Sequence, residues 1–432
     1  MSVDVISLLH GFSLEDVPIE VRARVKLHLL DLCGVAAGGS RTELARIICA
    51  HASEDFGGSQ PLLFSDMRAG PLGVALAGGM MIDALDGHDG SNPTKGHVGC
   101  ALLPGILAQA PEACSGKAAL EAAILGYELG TRLGATLHAT SPDYHTSGAW
   151  MAVAVAAIGA RLRGLHPEQT AHALGIAEYH GPRSQMMRVI DTPTMLKDGS
   201  GWGAMAGVSA VRLAAKGFTG APAVTLDGAL WEDLGSRWYS LEQYVKPYPT
   251  CRWSHAPVEA ALGLQRTHEI AASNVERIEI DSFHNACRLA MAEPGTTEEA
   301  QYSTSFPVAV ALVRGGIGPF DMDIDGGLDP EIKRLSLATR MLEHPDAEAP
   351  YPGRRLARVR LYLINGETIE SGWEEPKWEH TAPPSAAEMR AKYDALAIPV
   401  LGKDRAETIA LHIDALDDCA LAPLYAALSG AP

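Results

Sequence analysis

Apolar residues recur at helical intervals through most of the first 260 positions. Val21, Val25, Leu29 and Leu32 are spaced by four, four and three, which lays them along one helical face. Similar segments rich in Ala, Leu and Gly follow at 101–112, 118–139, 148–164, 168–177, 202–216 and 256–271. Small residues are frequent in them, as from Ala149 to Ala160, so the helices they predict can approach closely. Further along, the period changes to two. Ile278, Ile280 and Ser282 alternate with Glu279 and Asp281, and Val359, Leu361 and Leu363 alternate with Arg358, Arg360 and Tyr362. Both runs predict strands. Asn365-Gly366 then predicts a type I′ hairpin turn into Glu367–Ser371. Helical patterns at 297–314 and 331–343 lie between the strands. Ser385 and Glu388 have the spacing of a capping box, and a helical pattern continues through 405–429. The expected fold is mainly α. A large all-helical domain spans 1–266 and is completed by 385–432, and a smaller α/β domain spans 267–384.

The chain has 432 residues, more than one hydrophobic core usually serves, which agrees with two domains. Its net charge of −17 disfavours nucleic acid and anionic membranes as partners, though not a small anion held by local cations. Seven cysteines are scattered without a C-x-x-C pair, which points to reduced thiols in a cytoplasmic protein without a zinc or iron–sulfur site. The N-terminal residues have neither the basic region nor the apolar core of a signal peptide, and no stretch reaches membrane-spanning length without polar interruption.

Two motifs imitate binding sites. Asp321-Met322-Asp323-Ile324-Asp325-Gly326 starts like a calcium loop, but its twelfth position is Ile332, which has no carboxylate. Gly199-Ser200-Gly201-Trp202-Gly203 is glycine-rich but follows no strand, as a dinucleotide site requires. No two histidines stand four apart, so a helix-borne H-x-x-x-H metal site is not expected.

Four segments place polar groups beside glycine or proline, each ahead of a helical run, so that three histidines fall near helix N-termini. They are Ala84-Leu85-Asp86-Gly87-His88-Asp89-Gly90 with His97, Asp143-Tyr144-His145-Thr146-Ser147-Gly148, Met195-Leu196-Lys197-Asp198-Gly199, and Lys246-Pro247-Tyr248-Pro249 through His255. A histidine near a helix N-terminus meets a dipole that disfavours imidazolium and favours a bound carboxylate. Acid and imidazole groups in such loops suit proton transfer beside an anion.

These segments, with Lys216-Gly217-Phe218-Thr219-Gly220 and Ala300-Gln301-Tyr302-Ser303 through Val308-Ala309, resemble the MmgE/PrpD family over about residues 5–400. That family includes 2-methylcitrate dehydratase, cis-aconitate decarboxylase and iminodisuccinate epimerase. The resemblance implies a helical core domain with an α+β lid, a homodimer, and catalysis on a small polycarboxylate without metal or organic cofactor. It places catalytic residues at Asp86, His97, His145, Lys197 and His255. Two positions depart from the family. Its threonine, four after the aspartate, is Gly90 here, with Ser91 or Thr94 as hydroxyls that can stand in. Its tyrosine falls on Phe306, with Tyr302 expected one helical turn earlier on the same face.

The mechanism expected from this likeness makes or quenches a carbanion next to a carboxylate. His145 and His97 act as base and acid in an order left open. Asp86 orients one imidazole, Lys197 and Arg252 clamp carboxylates, and His255 closes over the substrate with the lid. Elimination of water from a hydroxy-tricarboxylate such as 2-methylcitrate is the first expectation. The alternatives are decarboxylation of an unsaturated tricarboxylate, epimerisation of an amino-polycarboxylate, and a catalytically silent small-acid-binding protein.

Overall fold

In the computed structural model, which describes residues 4–432, Ile19–Gly39 forms one 21-residue helix. Val21, Val25, Leu29 and Leu32 are all buried along it, as their spacing requires. Pro71–Leu85, Gly99–Gln109 and Gly116–Thr140 pack against it, and Ser147–Leu162 and Ser200–Ala214 pack on those helices and on each other; all five are apolar on nearly every face. Their shared core is built from Ala, Val, Leu and Gly. A β-carbon on Gly203 would stand 2.3 Å from the carbonyl oxygen of Gly148, so only glycine lets those two helices come this close. Pro71 opens its helix at a position where the missing N–H costs nothing, and Asp86 ends that helix in the left-handed region at φ 53°.

The chain divides into two units. The first takes the residues up to Met186, then Lys197–Tyr244 and Pro384–Pro432, and the second takes Met187–Leu196 and Val245–Pro383. The sequence reading drew its boundary at 267. The main segment of the second unit instead begins at Val245, because Val258, Ala261 and Leu262 of the His255–His268 helix belong to the core under the sheet. The capping box forms as read, with the Glu388 amide donating to Ser385 Oγ and the Ser385 amide donating to Glu388 Oε2. It starts the helix Ala386–Leu401, which belongs to the first unit.

The first unit holds a short antiparallel pair, β1 (Gln60–Pro61) and β2 (Arg68–Ala69). The second unit holds a mixed sheet of β3 (Val275–Ser282), β4 (Thr339–Glu343), β5 (Arg358–Leu363) and β6 (Thr368–Glu370), in the order β4-β3-β5-β6. β3 and β4 run parallel, and the other pairs are antiparallel. One face of the sheet is buried through Ile278, Ile280, Val359 and Leu361, against Val308 and Leu312 of the helix Ser305–Arg314. On the other face, Arg358 and Arg360 both donate to Asp281.

Four sequence readings need correction. The 331–343 pattern is a helix, Pro330–Leu337, followed by the strand β4, because Met341 and Leu342 serve the sheet rather than a helix face. The 297–314 pattern breaks at Tyr302, which has φ −98° and ψ 45°, leaving helices Thr297–Gln301 and Ser305–Arg314. Tyr302 and Phe306 therefore do not share a helical face. The 405–429 stretch is two helices, Lys403–Asp414 and Leu421–Ala427. In the 363–367 hairpin only Gly366 has positive φ, and Leu363 O accepts from Gly366 while its N–H donates to Glu367 O. This is a type I turn with a glycine bulge rather than type I′.

Candidate active site

The first unit carries Asp86, Ser91, His97, His145 and Lys197, all buried. Asp86 and Lys197 both lie in the left-handed region, with φ 53° and 51°, a conformation that costs a non-glycine residue energy and is concentrated at functional sites. His97 precedes the helix Gly99–Gln109 by two residues, and His145 precedes the helix Ser147–Leu162 by two. Three segments are stitched together here. The His97 amide donates to Ser147 Oγ at 2.9 Å, and the Gly148 amide donates to the carbonyl of Asp198 at 3.2 Å. The close approach of Gly148 and Gly203 is what allows the second of these bonds.

Both ring nitrogens of His97 are engaged. Nδ1 lies 2.6 Å from the carbonyl oxygen of Asp89, and Nε2 lies 3.1 Å from Oδ2 of Asp198. The side chain of Asp89 is fully buried and caps the next helix. It accepts from the Gly99 amide at 3.1 Å and from the Tyr127 hydroxyl at 2.5 Å. Burial, then the nearby Asp89 carboxylate, raises the Tyr127 phenol well above its usual range, so Tyr127 remains the donor.

Edge-on to His97, with ring centres 4.4 Å apart, lies His88, whose Nε2 is 3.4 Å from Asp83 Oδ1. Asp83, His88 and Cys100 bring possible metal donors within 4.8 Å of one another. Ser200 occupies this cluster through hydrogen bonds. Its N–H and Oγ both meet Asp83 at 3.0 Å, and the Cys100 thiol donates to its Oγ at 2.9 Å. The cluster reads as a brace between three helices.

His145 presents a different environment. Its amide donates to Nε2 of His138 at 3.1 Å, and the two rings stack at 6.2 Å. Burial, with the charge of Lys95, pushes His138 down to about 4, so it stays neutral and accepts. Nδ1 of His145 is buried with no hydrogen-bond partner. The same holds for Ser91 Oγ, whereas Thr94 Oγ1 contacts the carbonyls of Ser91 and Gly96 and accepts from the Gly96 amide. Of the two hydroxyls suggested in place of a side chain at 90, Ser91 is the one left for a ligand.

The second unit carries Arg252, His255, Tyr302 and Phe306, also buried. Arg252, expected to clamp a substrate carboxylate, donates from Nη2 to Glu379 at 2.8 Å and from Nη1 to the Lys377 carbonyl at 2.9 Å. Burial would raise Glu379, but the hydrogen bond from His380 and the charges of Arg252 and Arg355 hold it down at about 2. Nδ1 of His255 is 3.4 Å from Arg252 Nη1 and Nε2 is 3.2 Å from the Thr250 carbonyl. A guanidinium only donates and a carbonyl only accepts, so this geometry fits the neutral Nε2–H imidazole. Tyr302 and Phe306 lie at a helix end and in the core under the sheet.

The carboxylate on Nε2 of His97 is Asp198, which lies in the 195–199 segment singled out from sequence but carries no role there. Tyr244 was missed altogether. It is joined to Gly90 by two backbone bonds, of 3.0 and 2.8 Å, and its ring lies edge-on to His97 at 6.4 Å. Nothing local in the sequence signals a tyrosine 154 positions after its neighbour.

Residues 4–239 match the MmgE/PrpD N-terminal domain and residues 248–418 match the MmgE/PrpD C-terminal domain. Cis-aconitate decarboxylase of Aspergillus terreus is 25% identical, covering 96% of this chain and 93% of its own length. Cis-aconitate decarboxylase-like protein oryM of Aspergillus oryzae is 25% identical, covering 96% and 94%. Cis-aconitate decarboxylase of Mus musculus is 24% identical, covering 95% and 89%. With both domain models matched in order along nearly all of its length, the chain belongs to the MmgE/PrpD family.

Proposed function

We propose that this chain is a lyase acting on a small polycarboxylate, by proton transfer at a carbon next to a carboxylate. The observation that carries this reading is the pair of buried imidazoles in the first unit. His97 has a carboxylate on Nε2, and His145 has a buried nitrogen without a partner. An acid and a base of unequal surroundings are what an elimination consumes. Lys197, buried in the turn next to Asp198, supplies positive charge for a substrate carboxylate, and Ser91 supplies a hydroxyl.

Among the lyase reactions, loss of water from a hydroxy-tricarboxylate of the 2-methylcitrate type uses both imidazoles, one on the α-hydrogen and one on the leaving hydroxyl. Decarboxylation of an unsaturated tricarboxylate is a second reading, favoured by the names of the relatives. Asp198, Ser91 and Tyr244 are the polar groups that the first unit offers this reading.

Proton NMR in deuterated water, with 2-methylcitrate, cis-aconitate and amino-polycarboxylates offered in turn, tests the proposal. Water loss yields a new alkene signal, decarboxylation yields a product one carboxylate shorter, and epimerisation exchanges deuterium without elimination. Catalysis of either of the first two reactions supports the lyase reading. Exchange alone, or no change with any acid, overturns it.

A further inference from the structure

The two contacts to His97 cannot both be acceptors facing a neutral ring. A backbone carbonyl only accepts, so the 2.6 Å contact to the Asp89 oxygen fixes a proton on Nδ1. Nε2 then faces a carboxylate oxygen at 3.1 Å, and one further proton has to lie between them. His145 stands in contrast. It has no hydrogen bond at Nδ1, and the imidazole stacked on it is neutral.

We propose that Asp198 is a positioning residue that stores a proton on Nε2 of His97, making His97 the proton donor of the lyase reaction and leaving His145 as its base. This assignment rests on the function proposed above. In the elimination, His145 takes the hydrogen next to the carboxylate, and the electrons of that C–H bond form the alkene. The C–O bond breaks with its pair going to oxygen. The Nε2–H bond breaks in turn, its pair stays on the ring as neutral Nδ1–H imidazole, and the proton completes the departing water. In a decarboxylation the bond to the leaving carboxylate breaks as carbon dioxide, its electron pair stays on carbon and takes the same proton, and His145 moves none. Solvent then returns a proton to the His97–Asp198 pair and, after an elimination, takes one from His145.

Other titratable groups face His97 as well. His88 stands edge-on with Asp83 behind it, and Tyr244 approaches from the other strand of its bridge with Gly90. His88 has its own carboxylate in Asp83, so Asp198 is the acid that acts on Nε2 of His97. The side chain of Asp89 is turned away to Tyr127 and Gly99 and offers His97 only its carbonyl. Asp198 is 4% exposed, so its charge acts on the ring with little screening.

The test is a titration of the full chain with 15N-labelled histidine rings, the His97 signals being identified by their loss in His97→Gln. The wild type is expected to show both nitrogens of His97 protonated near neutral pH. In Asp198→Asn the midpoint is expected to fall by about one pH unit or more. With whichever acid is turned over, Asp198→Asn is expected to lower kcat by about tenfold or more. The basic limb of its kcat/KM profile moves toward acid, and Asp198→Glu restores most of both. An identical His97 titration in wild type and Asp198→Asn overturns the proposal, whatever the activity shows. If no acid is turned over, the lyase reading fails, while the ring titration still decides whether Asp198 holds the proton. Should Asp198→Asn not fold, Asp198→Ser carries the test, with the same fall of the His97 midpoint expected and an unchanged midpoint overturning the proposal.

Discussion

A β-carbon on Gly90 would stand 2.3 Å from the hydroxyl oxygen of Tyr244 and 2.8 Å from Nδ1 of His97. Glycine at 90 is thus a steric requirement of this chain, because the tyrosine ring fills the space a side chain would need. Gly90→Ala is expected to push Tyr244 or His97 from its place, costing about 1–3 kcal/mol. It should lower the melting temperature and reduce turnover together. Wild-type values of both would mean that the Tyr244 ring moves aside freely.

Glu128 and Arg132 form a fully buried pair at 2.8 Å inside the helix Gly116–Thr140. Glu128 also accepts from the amides of Tyr239 and Ser240, each at 2.9 Å, and so holds the segment that leads to Tyr244. Replacing Glu128 by Ala leaves the Arg132 charge without this partner and two buried amides without an acceptor. The expected loss is about 3–5 kcal/mol, read from the shift of the denaturant midpoint. A shift below about 1 kcal/mol would show that water or Asp233 takes over.

Acid should weaken the first unit well above the carboxylate range. Burial pushes His28 down to about 4, and burial with the charge of Lys95 does the same for His138. Both are neutral in the fold, while the unfolded chain binds their protons near pH 6.5. Their contribution to stability is therefore complete above about pH 6.5 and is lost as the pH falls from there toward 4. Melting temperatures measured from pH 8 to 4 are expected to fall across that window, and to fall less in His28→Asn combined with His138→Asn. A flat profile down to pH 4 would contradict the assignment.

The second unit loses a different contribution at lower pH. Glu379 is held at about 2, so the stabilisation from its contacts with Arg252 and His380 is present above about pH 4.3 and disappears as the pH falls toward 2. Glu379→Gln is expected to remove that part of the acid transition, seen by near-ultraviolet circular dichroism of Trp253 and Trp378. An unchanged acid transition would show that Arg252 does not depend on this carboxylate.

The long helices were legible because their burial is nearly continuous, and the apolar period of Val21 to Leu32 could serve nothing else. The strand β4 was not, because Met341 and Leu342 follow the Pro330–Leu337 helix without a glycine or proline to mark the change. The break at Tyr302 is hidden for a related reason, since Ser303 interrupts a helix through side-chain bonds that appear only on folding, its Oγ accepting from the Phe306 amide and donating to the Met291 carbonyl. In the candidate site, the imidazoles and their loops could be found from local polar residues beside glycine. Their partners could not. Which carboxylate meets Nε2 of His97 depends on a contact between residues 97 and 198, and Tyr244 reaches Gly90 from across the unit. A clamp role for Arg252 follows from its charge alone, and sequence does not show the Glu379 that already occupies it.

The turnover numbers of two variants, measured with the acid that the wild type consumes fastest, test the donor and base assignment most directly. His97→Ala and His145→Ala are each expected to lower kcat by about 10²-fold or more while far-ultraviolet circular dichroism remains that of the folded chain. Near-normal turnover in either variant would contradict the assignment of one donor and one base to these imidazoles.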